Sequence, residues 1–201
     1  MKNQNYLNDL KDIKELMSRS TQFVSLSGLS GILAGLYALI GAAVAKTMID
    51  AERQEYITLE STTFRNLIIL AFLVLVCSVG TAYFLTVKKA KKANEHIWNA
   101  TSKRLIINFC IPLVTGGIFS ILLLKNGYFG LIAPITLIFY GMSCLNASKY
   151  TLRDVRYLGI TQIILGLIAV EYSGYGLYFW VIGFGICHIV YGSVMYYKYD
   201  R

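Results

Sequence analysis

Apolar residues in this chain are gathered into six blocks, 23–45, 67–87, 105–124, 128–147, 155–170 and 175–197, separated by short polar stretches. A helix needs about 20 apolar residues to cross a bilayer, because the hydrocarbon layer is about 30 Å thick and each residue rises 1.5 Å. Five blocks reach that length, and 155–170 falls a little short. Helix is the required conformation, since lipid offers no partner to backbone amides and the alternation of a barrel strand is missing. The pattern predicts an all-α polytopic membrane protein, a six-transmembrane-helix bundle built of three hairpins.

Composition agrees. The 201 residues are 56% apolar and 15% charged, against about 45–50% and 25% in soluble domains. Disordered, collagen-like and disulfide-scaffold classes are removed with the ordinary soluble ones. The cations then set a direction, because Lys and Arg are retained on the cytoplasmic side during insertion. Fifteen fall in the termini and alternate loops; only Lys46, Arg53, Arg65 and Lys125 fall in the others. Both termini are therefore expected in the cytoplasm. The formal charge of +8 needs no nucleic acid to explain it; basic loops read as topology signals and contacts with anionic lipid headgroups, each worth about 1 kcal/mol. Tyr128, Tyr172, Tyr175 and Trp180 at one set of block ends, and Tyr150, Tyr157 and Tyr197 at the other, fit interfacial belts.

Residues 1–22 carry Tyr6, Leu10, Ile13 and Met17 at helical spacing, with Asp12, Glu15 and Arg19 on other faces. This segment reads as a cytoplasmic amphipathic interfacial helix, or as a dock for a cytosolic partner. The block 23–45 that follows is too long for a signal peptide, whose apolar region is about 7–15 residues, and is expected to be a retained anchor. Between Lys46 and Arg65 the external loop is charged and reads as a partly helical extension of the first span. Glycine turns are expected at Gly127 and Gly174. The inside stretch 88–104 is too short to bury a core, so no loop houses a soluble catalytic or DNA-reading domain.

In the first span Ser27, Gly31 and Gly35 fall four apart, beside Ser30, Ala34, Ala38 and Ala42. Small residues at that spacing let helix backbones approach closely. The partner is either another span or a second subunit. A short echo, Ile138-Phe139-Tyr140-Gly141 and Ile189-Val190-Tyr191-Gly192, relates the third and fourth spans to the fifth and sixth.

Ionisable residues inside lipid are costly, which makes His188 in the sixth block the leading candidate for function. Tyr191, Asn108 and Asn146 share its half of the bundle, and Arg104, Arg153 and Arg156 border that half from the loops. These seven residues make up the expected ligand-binding set, a cytoplasm-facing intramembrane polar site suited to an anionic or amphipathic ligand. The competing reading is that His188 only hydrogen-bonds a neighbouring helix. No metal site is expected, because the second histidine, His96, is in a loop and Cys77, Cys110, Cys144 and Cys187 lack ligand spacing. Nucleophile, P-loop and zinc-protease motifs are missing. Asp154 and Glu171 stand at opposite ends of the fifth span, with Asp154 expected to cap it. Asn99-Ala100-Thr101 and Asn146-Ala147-Ser148 match the glycosylation pattern on the cytoplasmic side, and are read as chance. No catalytic residue and no cofactor is expected. The reading is a non-enzymatic integral membrane protein that binds or transports a small or lipidic ligand; the alternative is a scaffold or sensor subunit holding a cytosolic or membrane protein partner, or a second copy.

The stretches Asn99 to Leu105, Ala133 to Gly141, Asn146 to Leu152 and Gly183 to Gly192 resemble a family of uncharacterised six-span inner-membrane proteins of certain Gram-negative bacteria. The resemblance covers most of the chain from Phe23 onward. It implies the six-helix fold and a bacterial inner membrane, and it carries no activity and no site residue.

Overall fold

A computed structural model describes residues 26–52, 59–92 and 97–200. They form six helices: α1 (Gly28–Ala51), α2 (Thr62–Lys92), α3 (Ala100–Lys125), α4 (Ile132–Ala147, entered through a 3-10 turn at Phe129–Leu131), α5 (Asp154–Glu171) and α6 (Gly176–Asp200). Five of these helices are long and apolar enough to cross a membrane, so the chain is a helical membrane protein. The exception is α5, 18 residues long, which carries Gln162 at mid-length. The expected helix within 1–22 lies outside the described residues.

The predicted blocks locate all six helices, and all but α4 overrun them at one end or both. α1 continues to Ala51 in the expected extension, where Lys46 pairs with Asp50 one turn on. α2 has 31 residues, about 46 Å at 1.5 Å each, and its last turn holds Lys89, Lys91 and Lys92. Asn99 caps α3: its side chain accepts from Ser102 N at 2.7 Å, and Ser102 Oγ accepts from Asn99 N at 3.0 Å. Gly127 has the predicted positive φ, 80°. Gly174 does not, because Ser173–Tyr175 is a 3-10 turn, whose φ is negative.

α6 holds the bundle together. It packs on α1 on one side and on α4 and α5 on the other; α2 rests on α1, and α3 on α4. The small-residue stripe of α1 is answered within the chain. A Cβ on Gly35 would lie 2.6 Å from Gly185 O, and one on Gly192 would lie 2.5 Å from Ile32 N and 2.7 Å from Gly28 O. A second close crossing joins α4 to α5, where a Cβ on Gly141 would lie 2.6 Å from Gly159 O and one on Gly159 2.7 Å from Gly141 O. Both glycines of the sequence echo thus receive a neighbouring backbone. Away from these seams α2 exposes Ile69, Phe72, Val79 and Phe84, and α3 exposes Ile107, Ile111, Val114 and Ile118. That is the surface lipid requires.

The hairpins gather their ends on two faces. At the terminal face, Lys89 Nζ donates to Leu26 O at 3.0 Å and Asp200 accepts from Gly28 N at 2.8 Å. Leu152 from the α4–α5 connection and Val155 from the first turn of α5 join Met195 there in a buried apolar cluster. At the opposite face Phe64 meets Phe129 edge-on, with ring centroids 5.9 Å apart.

Candidate functional site

The interior of α6 departs from regular α geometry over Val181–Cys187, which is π-helical. Such turns release a carbonyl from the i→i−4 ladder and recur at functional positions. Gly183 O lies within this turn. It accepts from Gln162 Nε2 of α5 at 2.7 Å and faces His188 Nδ1 at 3.1 Å. A Cβ on Gly183 would fall 2.4 Å from Leu137 Cδ2 and 2.5 Å from Gln162 Oε1, so both side chains would have to shift. A carbonyl can only accept, so in the neutral ring Nδ1 carries the hydrogen and Nε2 accepts from Tyr140 OH at 2.7 Å. Tyr140 on α4, His188 and Gly183 on α6 and Gln162 on α5 form one hydrogen-bonded chain across three helices. His188 is 7% exposed and Gln162 fully buried. Aromatic rings wall the chain: Phe109 meets Tyr140 edge-on at 6.0 Å and Phe184 lies 5.0 Å from it. At one end of the hydrogen-bonded chain Gln162 Oε1 has no hydrogen-bond partner among the described residues, and the buried hydroxyl of Tyr191, outside it, has none either.

Of the expected ligand set, the structure brings His188 and Tyr191 to this interior. Tyr191 packs on the apolar cluster that contains Cys144. The others stay apart from it. Asn108 Nδ2 turns back to its own helix and donates to Arg104 O at 2.8 Å, while Asn146 is half-buried on α4 and Arg104, Arg153 and Arg156 are exposed. Tyr140, Gln162 and Gly183 were not singled out from the sequence as site residues. Gln162, a polar residue amid an apolar block, was the available signal. No group of three or more His, Cys, Asp or Glu side chains is placed to hold a metal among the described residues.

Two further polar nodes lie at the terminal face. Asp200 is 9% exposed and Lys89 24%, and they pair at 2.6 Å. The same carboxylate accepts from Gly28 N and from Ser27 Oγ at 3.3 Å, so α6 supplies the cap that Ser27 itself does not make for α1. In the second node, Asp154 accepts from Lys198 Nζ at 2.9 Å and Tyr199 OH at 2.8 Å. Its expected role as side-chain cap is corrected here: Asp154 is already inside the first turn of α5 and reaches across to α6. The dipole still favours its charge.

The Lys198 hydrogen bond, helped by that of Tyr199, holds the Asp154 carboxyl below its ordinary value of 3.8 against the opposing effect of burial. A carboxylate lowered on folding contributes stability that is whole above its ordinary value and lost as pH falls through the lowered one. Lys198 is 55% exposed, so solvent screens the pair and the contribution is small. Melting in detergent is therefore expected to fall more steeply in wild type than in Asp154→Asn as pH drops below about 4; parallel curves would contradict the linkage.

No family model, curated protein or solved structure matches the chain.

The hydrogen-bonded chain has a measurable energy. Tyr140→Phe is expected to cost about 1 kcal/mol, the scale of a side-chain hydrogen bond in a membrane bundle. His188→Ala should cost about 2–3 kcal/mol, since a cavity is added to the lost bonds. The double mutant checks the pairing: a cycle of melting midpoints should return a coupling near the Tyr140→Phe cost, and strict additivity would show that the contact contributes nothing.

Proposed function

We propose that this chain is a non-enzymatic membrane scaffold or sensor subunit that holds a protein partner at its terminal face. One observation carries the reading: both ring nitrogens of His188 are committed inside the bundle, to Tyr140 and Gly183, while the cations expected to surround it are exposed at the terminal face instead. A ligand at His188 would have to displace those bonds. A partner at the loops displaces only water. The basic end of α2 with Lys88, Lys91 and Lys92, followed by Lys103 and Arg104 at the start of α3, offers a dense positive surface for an acidic partner segment.

In this proposal all six helices cross the membrane, α5 included. Its polar Gln162 is shielded by α4 and α6, so it needs less apolar surface than a lipid-facing span. The terminal face is cytoplasmic by the cation bias, and the membrane is a bacterial inner membrane, as the family resemblance implies.

The test places a photo-crosslinking residue at Lys91 or Lys103 in the full chain in its native membrane, with Ile111 as a lipid-facing control, and identifies adducts by mass spectrometry. One protein captured at the basic positions, absent at Ile111 and lost on Lys88→Glu with Lys92→Glu, supports the reading. A stoichiometric small molecule that co-purifies and is lost in His188→Ala would instead restore the ligand-binding reading, with His188 and Tyr191 at its centre.

A further inference from the structure

The outward face of α6 carries a feature that the polar interior does not use. Ile189, Val190, Ser193, Val194, Tyr197 and Lys198 line an open furrow of about 630 Å³, almost entirely apolar along its walls. This volume lies within the range of about 300–1,000 Å³ usual for small-molecule sites. The residues recur at intervals of one and three, which makes them one stripe of the helix. From Ile189 to Lys198 the stripe runs nine residues, about 13–14 Å at 1.5 Å each. That length matches the hydrocarbon of a single leaflet, half of about 30 Å. The furrow therefore starts near mid-membrane and ends at the terminal face, where the polar tip of Tyr197 and the ammonium of Lys198 stand exposed.

The charges around its polar end have one dominant sign. Lys198 is the cation paired with Asp154, and Tyr199 OH donates to the same carboxylate oxygen. Lys149, Arg153 and Arg156, exposed on the α4–α5 connection and the first turn of α5, add positive charge. The other acidic group nearby on α6, Asp200, is turned toward Lys89 and α1. Apolar walls one leaflet long, closed at the water side by a net positive cluster, complement a phospholipid: an acyl chain along Val190 and Val194, a phosphate at Lys198.

We propose that the α6 furrow is a binding site for an anionic phospholipid of the leaflet at the terminal face, with Lys198 as the headgroup-recognising residue and Asp154 as the competing anion that weakens its hold. The site rests on the membrane-spanning reading alone. It is independent of any protein partner, so the two proposals fail separately.

The experiment uses the full chain, purified from vesicles of equal parts phosphatidylglycerol and phosphatidylcholine, with retained lipids counted by native mass spectrometry. Wild type is expected to retain the anionic lipid about fivefold over the zwitterionic one, the factor that one cation near a headgroup supplies. Lys198→Gln should bring the ratio close to one. Asp154→Asn should raise it, because the carboxylate that competes with phosphate is gone; a purely structural ion pair predicts no rise. Val190→Trp with Val194→Trp fills the furrow from exposed positions, leaves every charge in place, and should lower retention of the lipid itself. Equal retention of both lipids by wild type would overturn the proposal. So would a preference that survives both Lys198→Gln and the tryptophan pair, or a Ser193→Cys variant that cross-links to a second copy, which would give the furrow a protein occupant.

Discussion

Gly192→Ala is expected to lower the stability of the bundle by about 3 kcal/mol, the upper part of the usual cost of overpacking, although it adds a single methyl group. The new Cβ would lie 2.5 Å from Ile32 N and 2.7 Å from Gly28 O. Both are backbone atoms of α1, so no side-chain rotamer relieves the clash and the two helices have to separate. Separation also loosens Gly35 against Gly185 further along the same seam. The seam is where α1 joins the rest of the molecule, and it carries α2 with it. For a chain of this length the cost corresponds to a fall in melting midpoint of roughly 6–12 °C. Gly80→Ala is the matched control. Gly80 sits within α2 with nothing within 4 Å of its would-be Cβ, so the same change there should be neutral or slightly stabilising, since alanine favours helix by up to about 1 kcal/mol. Equal melting of the two variants would show that α1 and α6 are not in close contact.

Asp200→Ala should have the next largest effect, about 2 kcal/mol, arising from two losses at one carboxylate. The first is the cap on α1, worth about 1 kcal/mol, since Gly28 N and Ser27 Oγ both donate to Asp200. The second is the counter-charge of Lys89, whose side chain is 24% exposed and whose ammonium then keeps its bond to Leu26 O but loses the carboxylate; a charge without its counter-ion in such surroundings is costly. Asp200→Asn keeps an acceptor for the cap and should cost less. Lys89→Met placed on Asp200→Ala should recover part of the loss, because the stranded charge is then gone. Melting midpoints of the four variants in detergent give the cycle, and a Lys89→Met change that adds its full cost to Asp200→Ala would contradict the coupling.

Much of this molecule could be read along the chain. Block length and hydropathy located the six helices, five of which run past their blocks because polar flanking residues such as Lys89 and Lys92 remain helical beyond the apolar stretch. The four-residue spacing of Ser27, Gly31 and Gly35 announced a close contact without naming its partner. His188 was visible as an ionisable residue in an apolar block, and the reading that it hydrogen-bonds a neighbouring helix matches the Tyr140 contact. Three features were hidden. Gln162 and His188 share Gly183 O within a π turn, and i→i+5 bonding has no residue signature comparable to a proline or a cap. Asp154 had the position of a capping residue, yet Lys198 and Tyr199 on another helix claim it. Arg104, Arg153 and Arg156 were grouped with His188 by depth alone, and depth does not say which way a helix face points.

The amino-acid sequence alone determined the solvent, the secondary structure and the faces on which small residues lie, since each follows from spacing within one segment and the demand of lipid for internal backbone bonding. Tertiary structure decided which glycine seam closes on which, that Tyr140 rather than a basic rim meets His188, and that Asp200 caps a helix 172 residues away. The physical reason is that lipid tails are as apolar as the helix surfaces they cover, so burial gives spans little reason to prefer one partner. The choice is left to close backbone fit and to a few hydrogen bonds, which exist only once the helices are side by side.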